Sequence, residues 1–347
     1  MAIVAPDIGI DLGTSNTVVC VRKKGIVLSE PTVLVVENGG KHAVRAIGAE
    51  AYDLMGRTTN QFTDVHPMAD GVIRDYEMAL ALIQFFIRKA IGVSHLVKPR
   101  AVITIPGRMT PIERRVIRQA ALNAGVRKNG LNLVEKSFAA ALGSGLPVSE
   151  PIGNMVVDVG GGTTEVAVIS VNGIVISRSV RIGGVKMNEA ITAYIKKDFN
   201  MLITDRIAEE VKMDLGAALP LKEERHATVR GKDMITDLPQ IAEISTSKIY
   251  EALRPICEAI LAAIQFVLSK TPPELCGDII KNGIHLTGGG AMLFGLDQYI
   301  ASELGIKVLL AKDPLTCSAM GVSQLADNYE LLHRLAGNTF QQSETEE

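Results

Sequence analysis

The feature that most constrains this chain is a short unit that occurs twice. Residues 8–19 read IGIDLGTSNTVV, and residues 155–168 read MVVDVGGGTTEVAV. Each has an apolar run, an Asp, a glycine-rich turn with hydroxyl residues, and a second β-branched run. That order is strand, tight turn, strand. Glycine tolerates positive φ and has no Cβ, so backbone N–H groups in such a turn can approach an anion. Thr and Ser add hydroxyl donors. Asp11 and Asp158, at the strand ends, suit a hydrated Mg²⁺, which favours one or two carboxylates together with water and phosphate oxygens. Taken alone, either copy reads equally well as an ordinary acidic hairpin. Two copies imply two similar halves facing each other across a cleft, with a phosphate tail clamped between the hairpins.

A length of 347 residues suits two domains rather than one small core. With 47% hydrophobic and 21% charged residues, the chain is a folded globular protein. A net charge of −2 and no basic run longer than Arg22-Lys23-Lys24 give no sign of a nucleic-acid partner. That triplet lies between two apolar segments and reads as a solvated hairpin turn. The four cysteines (Cys20, Cys257, Cys276, Cys317) have no CxxC spacing, and the six histidines form no ligand pair at helical spacing. No apolar stretch approaches the ~20 residues of a spanning helix. A soluble cytoplasmic protein is the expectation.

A third glycine cluster, Thr287-Gly288-Gly289-Gly290-Ala291, follows a strand-like segment and precedes an apolar-periodic helix expected to begin near Met292. Backbone bared by three glycines suits a flat ring or a phosphate, although a plain strand-to-helix loop has the same composition. Between the hairpins the pattern alternates: a strand at 101–105, a helix at 110–123 with Ile112, Val116 and Ala120 at core spacing, a strand at 131–135, and a small-residue helix from Phe138. Such alternation implies parallel strands with crossover helices, an α/β architecture. Two stretches read as insertions, at about 32–69 and about 185–244. A long helix over 244–268 carries Pro255, which is expected to kink it. The polar, acidic tail Gln341 to Glu347 is expected to be disordered.

Together these segments resemble the actin, Hsp70 and sugar-kinase superfamily, and within it the MreB family of bacterial filament proteins. DLGTSNT (11–17) is similar to the first phosphate motif, DVGGGTTEVAVIS (158–170) to the second, and LTGGGAML (286–293) to the adenosine motif. AAALGSGLP (139–147) and DPLTCSAMG (313–321) resemble the two connecting helices. GIVLSEP (25–31), HPMADGVI (66–73), PIERRVIRQAALNAG (111–125) and SVRIGG (179–184) are further similar stretches without an evident catalytic reason.

The resemblance implies an actin-like fold: duplicated ribonuclease-H-like units around a nucleotide cleft, each with an inserted subdomain. Domain I would be 1–141, completed by 320–347, and domain II 142–319. The implied ligands are ATP and Mg²⁺. Thr14, Ser15, Asn16, Gly160, Gly161, Gly162 and Thr163 would contact the phosphates, with Asp11 and Asp158 holding the hydrated metal. Glu209 would accept from the ribose, with Lys212 beside the adenosine, and Gly288, Gly289, Gly290 and Ala291 would face the adenine. Without the resemblance, Glu209 and Lys212 read as a solvated helix face.

One position departs from the family pattern. Two consecutive acids usually precede the alanine triplet, and the second orients the attacking water. Here the stretch is Glu135-Lys136-Ser137-Phe138-Ala139-Ala140-Ala141, which puts Lys136 in that place. A protonated lysine has no lone pair with which to accept a proton. Thr163, the usual partner in that role, is present. Glu135 would not replace the missing acid one for one, because adjacent strand residues point to opposite faces. Nucleotide binding with slow hydrolysis is expected, hence a weak ATPase coupled to polymerisation.

The implied partner is the chain itself, in paired protofilaments supporting cell shape. The cell-wall synthesis machinery is a further candidate partner. So is the inner face of the membrane, met through Val93, Leu96 and Val97 beside Lys98. A small-molecule kinase of the same superfamily is the alternative, for which no carboxylate base facing a substrate cleft stands out. A chaperone ATPase would need a substrate-binding β-domain after residue 330.

Overall fold

The computed structural model describes residues 5–38, 43–57, 61–92, 97–328 and 331–332. The chain opens with three antiparallel strands, β1 (Ile8–Leu12), β2 (Asn16–Val21) and β3 (Gly25–Pro31). The first insertion follows: β4 (Leu34–Glu37), β5 (Val44–Ile47), α1 (Ala49–Leu54) and β6 (Phe62–Val65), with the strands in the order β5-β4-β6. A small hairpin, β7 (Met68–Ala69) and β8 (Val72–Ile73), leads to α2 (Tyr76–Ile91), β9 (Ala101–Ile105), α3 (Pro111–Asn123), β10 (Leu131–Glu135) and α4 (Lys136–Gly143).

The second half repeats the plan. β11 (Asn154–Val159), β12 (Thr164–Ser170) and β13 (Gly173–Val180) are again antiparallel. The second insertion comprises α5 (Gly184–Phe199), β14 (Met201–Leu202), α6 (Asp205–Leu215), β15 (His226–Asp233) and β16 (Pro239–Ser245). After it come α7 (Thr246–Lys270), α8 (Pro273–Asn282), β17 (Ile284–Thr287), α9 (Leu296–Leu304), β18 (Val308–Leu310) and α10 (Cys317–Asp327).

The two main sheets have the same topology. One runs β10-β9-β1-β2-β3 and the other β18-β17-β11-β12-β13, each with two antiparallel and two parallel pairings in matching places. Strands covered on both faces read as continuous apolar runs, and β1, β9 and β11 are buried along their whole length. The repeated unit in the sequence is therefore the start of a repeated five-stranded sheet.

α4 and α10 lie between the sheets. α10 packs on β1, β2 and β9 of the first, and α4 on β11 and β12 of the second. Small residues allow this: Ala139, Ala140, Ala141 and Ala319 are fully buried. A Cβ on Gly143 would lie 1.8 Å from the Cys317 carbonyl oxygen, and one on Gly321 would lie 1.9 Å from that of Ala139. The helices cross backbone against backbone.

Three local expectations are corrected. Ile112 is 76% exposed, and the buried face of α3 is Ile117, Ala120 and Ala121. The cause is the helix start: Thr110 and Glu113 form a capping box with Pro111 at the first turn, which rotates Ile112 outward. The third glycine cluster enters a 3₁₀ turn over Gly289–Met292, and the α-helix begins only at Leu296. Ile244 lies in strand β16, which ends at Ser245, so the long helix starts at Thr246 and continues through Pro255 to Lys270. At 25 residues this helix is long and apolar enough to cross a bilayer, contrary to the expectation from the sequence. Its Ile249, Leu253, Ile260, Ile264 and Val267 are instead buried in the core of the second half. The tail from Gln341 lies outside the described residues.

The helix crossing gives a sharp test. Gly→Ala inside a helix ordinarily stabilises by up to about 1 kcal/mol. At Gly321 the methyl group must force two backbones apart, so Gly321→Ala is expected to lose about 3 kcal/mol in urea unfolding. A neutral or stabilised variant would show that the crossing is looser.

Candidate functional site

The two repeated hairpins close with the same hydrogen bond. Gly13 N–H donates to the Asn16 carbonyl at 3.1 Å, and Gly160 N–H to the Thr163 carbonyl at 2.8 Å. The turns meet tip to tip. A Cβ on Gly161 would lie 2.1 Å from Ser15 Oγ, and one on Gly162 would lie 2.3 Å from Thr14 Oγ1. The space they enclose with Thr104, Pro106 and Lys136 is about 20 Å³, room for a single water. A polyphosphate between the turns requires the halves to part.

Two stretches without evident chemistry in the sequence support these turns. Asp70 and Gly71 both have positive φ and turn the β7–β8 hairpin. Gly71 N–H then donates to Thr14 Oγ1 at 3.2 Å. On the other side Gly184 N–H donates to the Gly160 carbonyl at 2.9 Å, and Val185 N–H to that of Gly161 at 2.8 Å. The start of α5 thus fixes the second turn.

Asp11 and Asp158 are both buried, one from each half. Each receives a threonine hydroxyl from the adjacent parallel strand: Thr104 Oγ1 to Asp11 Oδ1 at 2.6 Å, and Thr287 Oγ1 to Asp158 Oδ1 at 3.1 Å. Between them stands Lys136, the first residue of α4, with Nζ 3.6 Å from Asp11 Oδ1 and 3.7 Å from Asp158 Oδ2. Burial alone would lower the lysine's pKa, but the Asp11, Asp158 and Glu165 carboxylates outweigh it and the net shift is upward. Burial pushes the Asp158 carboxyl up, with the Lys136 charge acting against it. Asp158 Oδ2 makes no hydrogen bond. Two buried carboxylates, one with a free acceptor, fit the water shell of a Mg²⁺ ion. Among the described residues no cluster of three or more His, Cys, Asp or Glu could ligate a metal directly. Such a cation, held by Asp11 and Asp158 through water, would offset phosphate charge.

Glu135 and Lys136 point apart. Glu135 lies 3.8 Å from Arg114 across the end of β10, and its buried Oε2 has no hydrogen-bond partner. The sequence reading missed Glu165, which faces the same place from the second half. Its Oε2 accepts from Gly107 N–H at 3.0 Å and its Oε1 from Ser179 Oγ at 2.7 Å. A Cβ on Gly107 would lie 3.1 Å from Glu165 Oε2 and 3.2 Å from Glu135 Oε2, so two carboxylates crowd this glycine. The signal was an acid inside an otherwise apolar strand, TEVAVIS. Thr163 is buried beside it.

Glu209 and Lys212 lie on α6, paired at 3.7 Å. Lys212 Nζ reaches the Gly184 carbonyl at 3.4 Å, and burial lowers its pKa against the pull of Glu209. The Arg206 guanidinium lies 5.5 Å from the Tyr52 ring centroid, so the two insertions meet at this pair. Gly288 and Gly290 back onto β11: a Cβ on Gly288 would lie 2.3 Å from the Val159 carbonyl oxygen, and one on Gly290 would lie 2.6 Å from Val159 Cγ1. Gly289 faces Leu315, and Ala291 is buried. Val93 and Leu96 lie outside the described residues; Val97 is half-buried, its carbonyl accepting from Ala5 N–H at 3.1 Å.

Two like sheets, two apposed glycine hairpins and a helix pair between them define the actin-like fold. The chain superposes on a double helical filament structure of MamK with a TM-score of 0.76 at 22% identity, covering 92% of this chain and 98% of that one. It superposes on MreB 5 of Spiroplasma citri bound to AMPPNP with a TM-score of 0.87 at 31% identity, covering 98% and 99%. The sequence is 44% identical over 319 residues to the cell shape-determining protein MreB of Escherichia coli K12, covering 91% of each chain. It is 42% identical over 329 residues to Mbl of Bacillus subtilis strain 168, covering 94% of this chain and 98% of that one. The MreB/Mbl protein family profile matches residues 5–334. This chain belongs to the MreB/Mbl family.

Glu165 yields a pH test. Burial pushes its carboxyl from 4.5 up to about 7, beyond what the Ser179, Gly107 and Thr163 hydrogen bonds restore. A raised folded-state pKa means that, between these values, the folded chain holds a proton that the unfolded chain has released. Stability from this group therefore rises as pH falls from 8 to 5, by up to about 3 kcal/mol. Glu135, also pushed up by burial, acts in the same direction. Urea midpoints should show a smaller gain from pH 8 to 5 in Glu165→Gln than in the native chain. An equal gain would remove Glu165 as its source.

Proposed function

We propose that this chain binds ATP between its two halves and polymerises into actin-like filaments that support cell shape. The observation that carries this is the convergence of both glycine turns, Asp11, Asp158 and Lys136 on one point between the sheets. Relatives add support: MreB5 of Spiroplasma citri is known bound to ADP and to AMPPNP, and the curated relatives are cell shape-determining proteins. In this proposal Thr14, Ser15, Asn16 and residues 160–163 hold the phosphates. Glu209 and Lys212 take the ribose side, and the loop 288–291 the adenine side. Residues 1–141 with 320–347 form one domain and 142–319 the other, turning about α4 and α10.

Hydrolysis in this site is slow. Lys136 offers no acceptor to a water, and Glu135 is turned toward Arg114. A positioned base or water-orienting group contributes ~10²–10⁴ in rate. The site is thus a weak ATPase whose product release is slow, which makes long-lived filaments.

Attachment to the inner face of the cell membrane through Val93, Leu96 and Val97 belongs to the same proposal, motivated by three apolar residues beside Lys98. Liposome co-sedimentation should fall in a Leu96→Ser, Val97→Ser variant, and unchanged binding would rule this segment out.

Sedimentation at micromolar protein should give pellets with ATP and Mg²⁺ and monomer without nucleotide. A monomer in every nucleotide condition would sink the filament proposal. In the same reactions Lys136→Glu should release phosphate at least about tenfold faster than the native chain. Fast release by the native chain, lost in Glu165→Gln, would give the water-orienting role to Glu165 instead.

A further inference from the structure

The Lys136 ammonium stands almost equidistant from one carboxylate of each half, 3.6 Å from Asp11 and 3.7 Å from Asp158. Its side chain is only 17% exposed, so solvent screens these attractions weakly. It begins α4, whose backbone is clamped against α10, so the charge is delivered by a rigid element rather than a loop. It also borders the second phosphate turn, with Nζ 3.7 Å from where a Gly160 Cβ would stand. We infer that Lys136 is a built-in counter-ion that takes over much of the divalent cation's task, so that a nucleoside polyphosphate binds with little dependence on Mg²⁺.

The inference rests on the nucleotide-binding proposal and on a simple balance of charge. Two carboxylates facing a polyphosphate repel it, and a hydrated Mg²⁺ ordinarily offsets both. Here one ammonium already engages both acids, leaving the trio with a single net negative charge instead of two. Mg²⁺ held by these acids would share their oxygens with a cation about 4 Å away, which weakens its retention. Conversely the lysine can turn from the acids to the phosphates without leaving the site. It then serves as a point charge of the kind lysines supply to phosphates elsewhere.

The test is calorimetric titration of the full-length native chain with ADP, in excess MgCl₂ and in excess EDTA. The expected ratio of the two dissociation constants is below about threefold, well short of a full tenfold step in affinity. In Lys136→Gln, which removes the charge at nearly constant volume, the ratio should exceed about tenfold. Without nucleotide, Mg²⁺ should leave the native melting temperature unchanged and raise that of Lys136→Gln. If the variant fails to fold, the native ratio decides alone. A native ratio of tenfold or more overturns the inference while leaving nucleotide binding intact. Absence of ADP binding in both buffers overturns the nucleotide proposal and the inference with it.

Discussion

Everything in this molecule turns on the crossing of α4 and α10, where two glycines let backbone touch backbone between the sheets. α10 is pressed so close to the first sheet that a Cβ on Gly9 of β1 would lie 3.1 Å from the Val322 backbone. α4 packs on the second sheet at β11 and β12. The pair therefore sets the distance between the halves, and with it the distance between the two hairpin turns. A core built of alanine, glycine and serine at this point gives up apolar area. What it gains is a thin seam between two larger bodies, each with its own apolar core.

The same helix sets the electrostatics of the cleft. Lys136 begins α4 and enters the interior between two buried carboxylates. Burying three charges is costly unless each is partnered, and here each aspartate also holds a threonine hydroxyl from the neighbouring strand. The contacts that join the halves at this level are polar or charged: Lys136 with Asp158, Gly107 N–H with Glu165, and Arg206 over Tyr52. Polar contacts exchange for water or ligand at little net cost, whereas an apolar seam would resist opening. The seam between the halves is thus tight at the helices and polar beside the hairpin turns.

Much of this was legible in the sequence because it repeats. The hairpin turns, the aspartates and the alternating strands and helices are local patterns, and both copies fold as read. The third glycine cluster was found, but its α-helix begins at Leu296 because the chain first makes a 3₁₀ turn against β11. The sequence pattern places α3 correctly but not its buried face, because the capping box, not the apolar spacing, sets its rotation. Glu165, Thr104, Thr287 and Gly71 escaped because their roles depend on partners distant in sequence. Thr104 matters only because β9 lies beside β1, and Glu165 only because Gly107 of the other half donates to it. In the sequence Lys136 reads only as a missing acid. Its place between Asp11 and Asp158 required both halves to be assembled around it.

The most direct test of this account is a crystal structure of the full chain with a non-hydrolysable ATP analogue. The expected result has the phosphates between Thr14–Asn16 and Gly160–Thr163, the turns parted, and Lys136 Nζ within about 4 Å of a phosphate oxygen or of both aspartates. A nucleotide bound elsewhere, or a Lys136 side chain turned to solvent with the phosphates in place, would contradict it.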